Sequence, residues 1–157
     1  MLEAIPAAPG TYVLAGRLSR PVELPVGRLG MAAFQPGVLL YSGSALGPGG
    51  LKARLRHHLE GSSRPHWHLD YLRPWVRWEA AWWHAGPERL ECRWLQALAR
   101  SGDGWTFPVR GFGASDCTGG CPAHLLWTPE KLTWDGLHRA VLQAAQACQF
   151  VPGRAAG

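Results

Sequence analysis

The sequence predicts an α+β fold in one domain, on three observations. Short β-rich runs come first, joined by tight Gly- and Pro-bearing connections that suit antiparallel pairing better than βαβ crossovers. Amphipathic stretches with a 3.6-residue stripe follow. An alternating run, VRWEAAWW, separates two of them. The 157 residues, 46% hydrophobic and 17% charged, are enough for one core and too apolar for disorder.

The elements read in order as follows. TYVLAGRL after Gly10 is a first strand, and VELPVGRLG is a second, placed at an edge by Pro25. VLLYSGSA after Pro36-Gly37 is a third. GPGG then opens the helix LKARLRHHLE, whose stripe is Leu51, Leu55 and Leu59. Ser63-Arg64-Pro65 precedes a short helix, HWHLDYL, that Pro74 ends. VRWEAAWW puts Val76, Trp78 and Ala80 on one side, which leaves Trp83 as the tryptophan facing the other way. Pro87 begins the helix ERLECRWLQALAR, and HLLW is a late strand. Thr133 caps a last helix with the stripe Trp134, Leu137, Val141 and Cys148. Residues 1–151 form the domain, and 152–157, PGRAAG, is expected to be a flexible tail.

A net charge of +5 and a pI near 9.4, much of it arginine, suit a polyanionic partner such as nucleic acid, although solubility alone explains mild basicity equally well. No run is long and apolar enough for a bilayer, and no signal peptide is expected. The cysteines at 92, 117, 121 and 148 make no obvious disulfide framework, which points to a reducing interior and the cytoplasm.

Glu91 is the most informative residue. On a helical wheel it falls inside the stripe of Leu90, Trp94, Leu95 and Leu98, where a carboxylate is costly unless paired or bound to metal. Glu88 is explained by the first-turn dipole; Glu91 needs an arginine partner or an ion. Arg54 and His58, four apart and off the leucine stripe, can reach one target together. The glycines at 49 and 50 leave free N–H groups at the start of their helix, beside Lys52 and Arg56, a favourable place for a nucleic-acid phosphate. Tyr12 and Tyr41, on the first and third strands, are either packing or partners of an attacking water.

The ordered set Gly10-Thr11-Tyr12, Tyr41-Ser42-Gly43, L-x-x-R-L-x-x-x-L at Leu51 to Leu59, and Glu91 resembles the GIY-YIG nuclease superfamily. The segments SALGPGGL, RHH, HWHLDYL, GFGASDC and CPAHL resemble one branch of it, a family of unknown function sometimes joined to endonuclease III. The resemblance implies a central three-stranded antiparallel sheet flanked by helices, here with an extra C-terminal strand and helix. It also implies an endonuclease hydrolysing phosphodiesters, with DNA as the expected substrate. Glu91 would hold Mg²⁺ or Mn²⁺, Tyr12 or Tyr41 would orient or deprotonate water, Arg54 would stabilise the phosphate, and His58 would assist. Ser44 departs from the pattern, standing where many of these nucleases carry a lysine. That departure keeps open a non-catalytic nucleic-acid-binding module on the same scaffold.

A second constellation is Cys117, Cys121 and His124, with His66, His68 and Asp70 as further candidates. Its spacing is compatible with zinc. Two buried thiols or a redox-sensitive pair are the alternatives.

Overall fold

Strand β1, Gly10–Leu18, is buried along nearly its whole length because it is covered on both faces. The computed structural model describes residues 2–61, 63–115, 117–129, 131–147 and 152–156. The remaining elements are β2 (Val22–Pro25), β3 (Met31–Phe34), β4 (Gly37–Ala45), α1 (Gly50–Glu60), α2 (His68–Leu72) and β5 (Val76–Ala85). They are followed by α3 (Glu91–Ala99), β6 (Leu125–Thr128), α4 (Trp134–Ala147) and β7 (Gly153–Ala156). The fold is α+β. A five-stranded antiparallel sheet runs β6-β4-β1-β5-β7, and β2-β3 form a separate two-stranded sheet.

The period-2 alternation of β1 divides the core into two layers. Tyr12, Leu14 and Leu18 pack with Leu39, Tyr41, Leu51, Leu55, Leu69 and Phe112, under α1 and α2. Val13 and Ala15 pack with Leu40, Trp82, Trp94, Leu95, Leu98, Leu137 and Val141, under α3 and α4. Thr133 caps α4 as expected, its Oγ1 accepting the Gly136 N–H at 3.0 Å. Cys148, expected on that helix's stripe, lies outside the described residues. Among the described residues, no helix is long and apolar enough to cross a membrane.

Four expectations change. VELPVGRLG is not one strand of the main sheet. It turns on itself through Gly27 and Gly30, both at positive φ (49° and 75°), so β2 pairs with β3 and the third central strand is β5. The short helix starts at His68 rather than near Pro65, because the Asp70 carboxylate accepts the His66 and Trp67 N–H groups at 2.7 and 2.9 Å. Helix α3 starts at Glu91, three residues later than read, which leaves Glu88 outside it. Within the expected tail, Gly153–Ala156 form β7, which adds to the edge of β5 with Gly153 opposite Trp83. A Cβ at Gly153 would lie 2.5–2.7 Å from the Trp83 ring, so glycine lets β7 cover that indole, which is buried and not exposed.

Deleting residues 152–157 is therefore expected to destabilise the domain by about 2 kcal/mol, from lost edge hydrogen bonds and the uncovered Trp83. Urea denaturation of the truncated and full chains measures it. An unchanged midpoint would make β7 dispensable.

Candidate functional site

The site forms at the end of the sheet where β1 begins and β4 ends. Thr11 pairs with Ser44 across these strands. The Leu90 N–H donates to Thr11 Oγ1 at 3.1 Å, which ties the start of α3 to the sheet. Ser44 Oγ donates to Glu91 Oε2. Its single proton is thus committed, and Thr11 Oγ1, 3.1 Å from Ser44 Oγ, shares its one proton between that oxygen and the Glu88 carbonyl at 3.2 Å. Glu91 is the first residue of α3, so the dipole argument assigned to Glu88 belongs to Glu91. Its side chain is almost buried, 8% exposed, as the wheel required.

Beneath the cleft lies a layer of rings. Tyr12 is fully buried, and its hydroxyl is 2.7 Å from His58 Nε2. The Tyr41 ring centroid lies 6.3 Å from that of Tyr12 and 5.6 Å from that of His58. Burial pushes both phenols above their ordinary pKa; Arg54 opposes this, and the Glu91 charge adds to it. Burial, with Arg54 and His57 nearby, pushes His58 down to about 3, so it is neutral at physiological pH. His58 Nδ1 faces Asp70 Oδ1 at 4.0 Å. The tautomer protonated at Nδ1 therefore turns its N–H toward the acid and leaves Nε2 to accept the Tyr12 proton. Burial raises Asp70 while bonds from His57 and the His66 and Trp67 amides outweigh it, so its carboxyl lies below the ordinary range.

A polar cleft of about 290 Å³ opens above this layer, lined by Tyr41, Gly43, Ser44, Arg54, Arg89, Glu91 and His124, with His66, Trp67 and His68 across from them. Arg54 donates to the Ser44 carbonyl at 3.2 Å and stacks 4.1 Å over the Trp67 ring. Of the five residues expected to be catalytic, Tyr41, Arg54 and Glu91 line the cleft. Tyr12 and His58 lie beneath it. Sequence reasoning missed Arg89, which no motif marked, and Trp67, which lies in the HWHLDYL segment without being singled out.

The phosphate cradle expected at the start of α1 is corrected. The Gly50, Leu51 and Lys52 N–H groups donate to the carbonyls of Gly47, Ala8 and Pro6 at 3.1, 2.8 and 3.1 Å. Gly49 and Gly50 are needed for positive φ (79° and 57°), not for an anion. The Lys52 charge acts on Glu3 of the N-terminal segment, and Arg56 is exposed on α1 away from the cleft lining.

The second constellation is real but differently composed. Cys92, Cys117, Cys121 and His124 offer ligand atoms that all lie within 4.8 Å of one another, a group that could hold a metal ion. The Cys92 and Cys121 sulfurs are in disulfide contact, and Cys117 Sγ lies 3.0 and 3.3 Å from them. His124 Nε2 is 3.0 Å from Cys121 Sγ and 3.3 Å from Cys92 Sγ. His66 and His68 do not join. His68 Nδ1 accepts the Gly113 N–H at 2.8 Å, and the His66 ring packs on Trp67. Cys92 is the member of this group that the sequence reading missed, and the available signal was its place one residue after Glu91.

These features define an α+β domain with a polar cleft at one end of its sheet and a Cys₃His cluster in the cleft wall. Residues 11–147 match the family described as domain of unknown function DUF123, and the chain belongs to that family. No curated protein and no solved structure matches it.

Neutral, buried His58 has a consequence for stability. The unfolded chain protonates this imidazole near pH 6.5 and the folded chain only near 3, so stability is full above about 6.5 and falls as pH drops toward 3. In His58→Gln the fall in urea midpoint between pH 7 and 4 is expected to be shallower, by on the order of a few kcal/mol in the difference. Equal slopes in the two proteins would show that His58 charges in the folded state.

Proposed function

We propose that this domain is a GIY-YIG-type endonuclease, hydrolysing a phosphodiester of nucleic acid, with DNA as the substrate, in the cleft at the end of the sheet. The observation that carries this reading is the convergence of Glu91, Arg54 and Tyr41 on one cleft, over the Tyr12–His58 pair. Four separate stretches of chain supply these residues, and core packing alone does not call for an arginine and a carboxylate in one polar opening.

Among the described residues, Glu91 is the carboxylate that lines the cleft, next to the Ser44 hydroxyl and with room for water. A carboxylate with several waters suits Mg²⁺ or Mn²⁺. When bound, such an ion supplies positive charge that polarises the phosphate and acidifies water. The protein's own groups do the rest. Arg54 and Arg89 bind and orient the phosphate, and Arg54 neutralises charge as it develops. Tyr41, protonated at neutral pH, orients the attacking water. Tyr12 keeps its proton and donates a hydrogen bond to neutral His58 Nε2 at 2.7 Å, which holds the floor of the cleft in place. The water oxygen bonds to phosphorus, one P–O ester bond breaks, and the leaving oxygen ends with a proton. The thiolates of the cleft wall suit a softer ion, zinc, with no part in this step. The cytoplasm, where thiols stay reduced, is where we place the activity.

One observation favours a second reading, a non-catalytic nucleic-acid-binding module. Ser44 engages Glu91 without supplying positive charge. The readings separate in a single experiment with duplex, flap, junction and single-stranded DNA. The hydrolase cuts at least one of them with Mg²⁺ or Mn²⁺, and Glu91→Gln lowers the rate by about a hundredfold or more while the circular dichroism spectrum stays native. Salt-dependent binding with no cleavage under either metal would leave only the binding module.

A further inference from the structure

The cleft lining draws on the first turn of α3 and on the loop that leads into β6, and sulfur and nitrogen atoms from both meet in one group. Cys92 comes from α3, Cys117 and Cys121 from the loop, and His124 from the residue preceding β6. We propose that Cys92, Cys117, Cys121 and His124 bind one zinc ion, and that this centre fixes the Glu91 turn against the loop. The inference does not rest on the hydrolase reading.

Three observations carry it. First, the donor set is Cys₃His, a composition of closed, structural zinc sites, and it is complete without water. A disulfide between Cys92 and Cys121 would need neither Cys117 nor His124. Both nevertheless sit within 3.0–3.3 Å of those sulfurs, so four groups converge on one point. Second, the loop backbone is arranged closely around the sulfurs. The Gly119 N–H donates to Cys117 Sγ at 3.3 Å, and a Cβ at Gly119 would lie 3.1 Å from Cys92 Sγ. Such outer hydrogen bonds orient ligands and stabilise charge on sulfur. Third, His124 is held by its backbone on both sides. Its N–H donates to the Phe112 carbonyl at 2.7 Å, and its carbonyl accepts the Ser42 N–H at 3.0 Å. Its imidazole is thus aimed at the sulfurs by the sheet, not by chance collapse of a loop.

Binding needs no oxidant. Three thiols release their protons to solvent as three Zn–S bonds and one Zn–N bond form. The disulfide alternative needs a two-electron oxidant, which a reducing compartment opposes.

The experiment uses the full chain purified without added metal, then examined by elemental analysis and by alkylation in denaturant with a chelator and no reductant. About one zinc per chain and four alkylated thiols are expected. Cys117→Ser is the decisive variant, because a Cys92–Cys121 disulfide would not notice it. It should lose the zinc and lower Tm by about 5 °C or more. Should that variant fail to fold, titrating the metal-free wild type with Co²⁺ and reading the absorption of tetrahedral thiolate-bound cobalt serves instead. Glu91→Gln should keep its zinc even where it abolishes cleavage, which separates the two readings. Two alkylated thiols, no zinc after reconstitution and an unchanged Tm for Cys117→Ser would overturn the proposal. So would loss of zinc in Glu91→Gln, since the ion would then belong to the carboxylate.

Discussion

The arrangement of the cleft depends on one close approach, the Tyr12 phenol lying across Gly43. The antiparallel register sets these residues opposite each other, and a Cβ at Gly43 would sit 2.5 Å from the Tyr12 hydroxyl oxygen. Only glycine lets that hydroxyl pass over β4 to within 2.7 Å of His58 Nε2. Once the contact forms, His58 must stay neutral to be buried, and α1 is fixed in rotation about its axis. With His58 turned inward, Leu51 and Leu55 fall onto the core, and Arg54 comes to the cleft edge over Trp67. The mouth of the cleft is therefore set by a contact beneath its floor.

The opposite side is set by hydroxyls. Thr11 accepts from the Leu90 amide and shares its own proton between the Glu88 carbonyl and Ser44, which donates to Glu91. The start of α3 adds its dipole in the carboxylate's favour. The Ser44 bond and this dipole explain how a nearly buried acid is tolerated with no arginine ion pair among the described residues. The same helix start also places two kinds of donor on consecutive residues: the oxygens of Glu91 face the cleft, and the sulfur of Cys92 faces the loop cluster. Hard and soft ions are sorted between such sites by ligand chemistry.

Much of this was legible from periodicity. The inward Glu91 showed on the wheel, and the β-branched and aromatic character of the first strand marked β1, while Arg54 and His58, expected to reach one target together, take the cleft edge and the layer beneath it. What escaped had physical reasons. The amides at the start of α1 looked free because their acceptors, Ala8 and Pro6, lie in a segment without regular pattern. Strand β7, Gly-Arg-Ala-Ala, has no β-branched or aromatic residue, and it forms because β5 offers an edge and Trp83 a surface to cover. Residues 22–34 became a hairpin because two positive-φ glycines outweigh the strand character of their neighbours. Cys92 was hidden by being helical, far in sequence from the C-x₃-C pair, and its place in the group showed only with His124, just before β6, beside α3.

The serine in place of lysine takes on a different weight in this setting. A lysine there would set an ammonium beside Glu91 and neutralise part of the phosphate charge. Ser44 supplies none, but Arg54, fixed by the Ser44 carbonyl and the Trp67 face, brings a guanidinium to the same cleft, and Arg89 brings a second just before α3. Two guanidinium groups carry more charge than one ammonium and bind phosphate oxygens bidentately. The Ser44 hydroxyl leaves Glu91 with a hydrogen bond that a cation can displace at small cost, whereas a lysine salt bridge would compete with that cation directly. In the proposed hydrolysis, the substitution moves the phosphate-binding charge from the end of β4 to its two flanks and leaves the carboxylate free to take an ion.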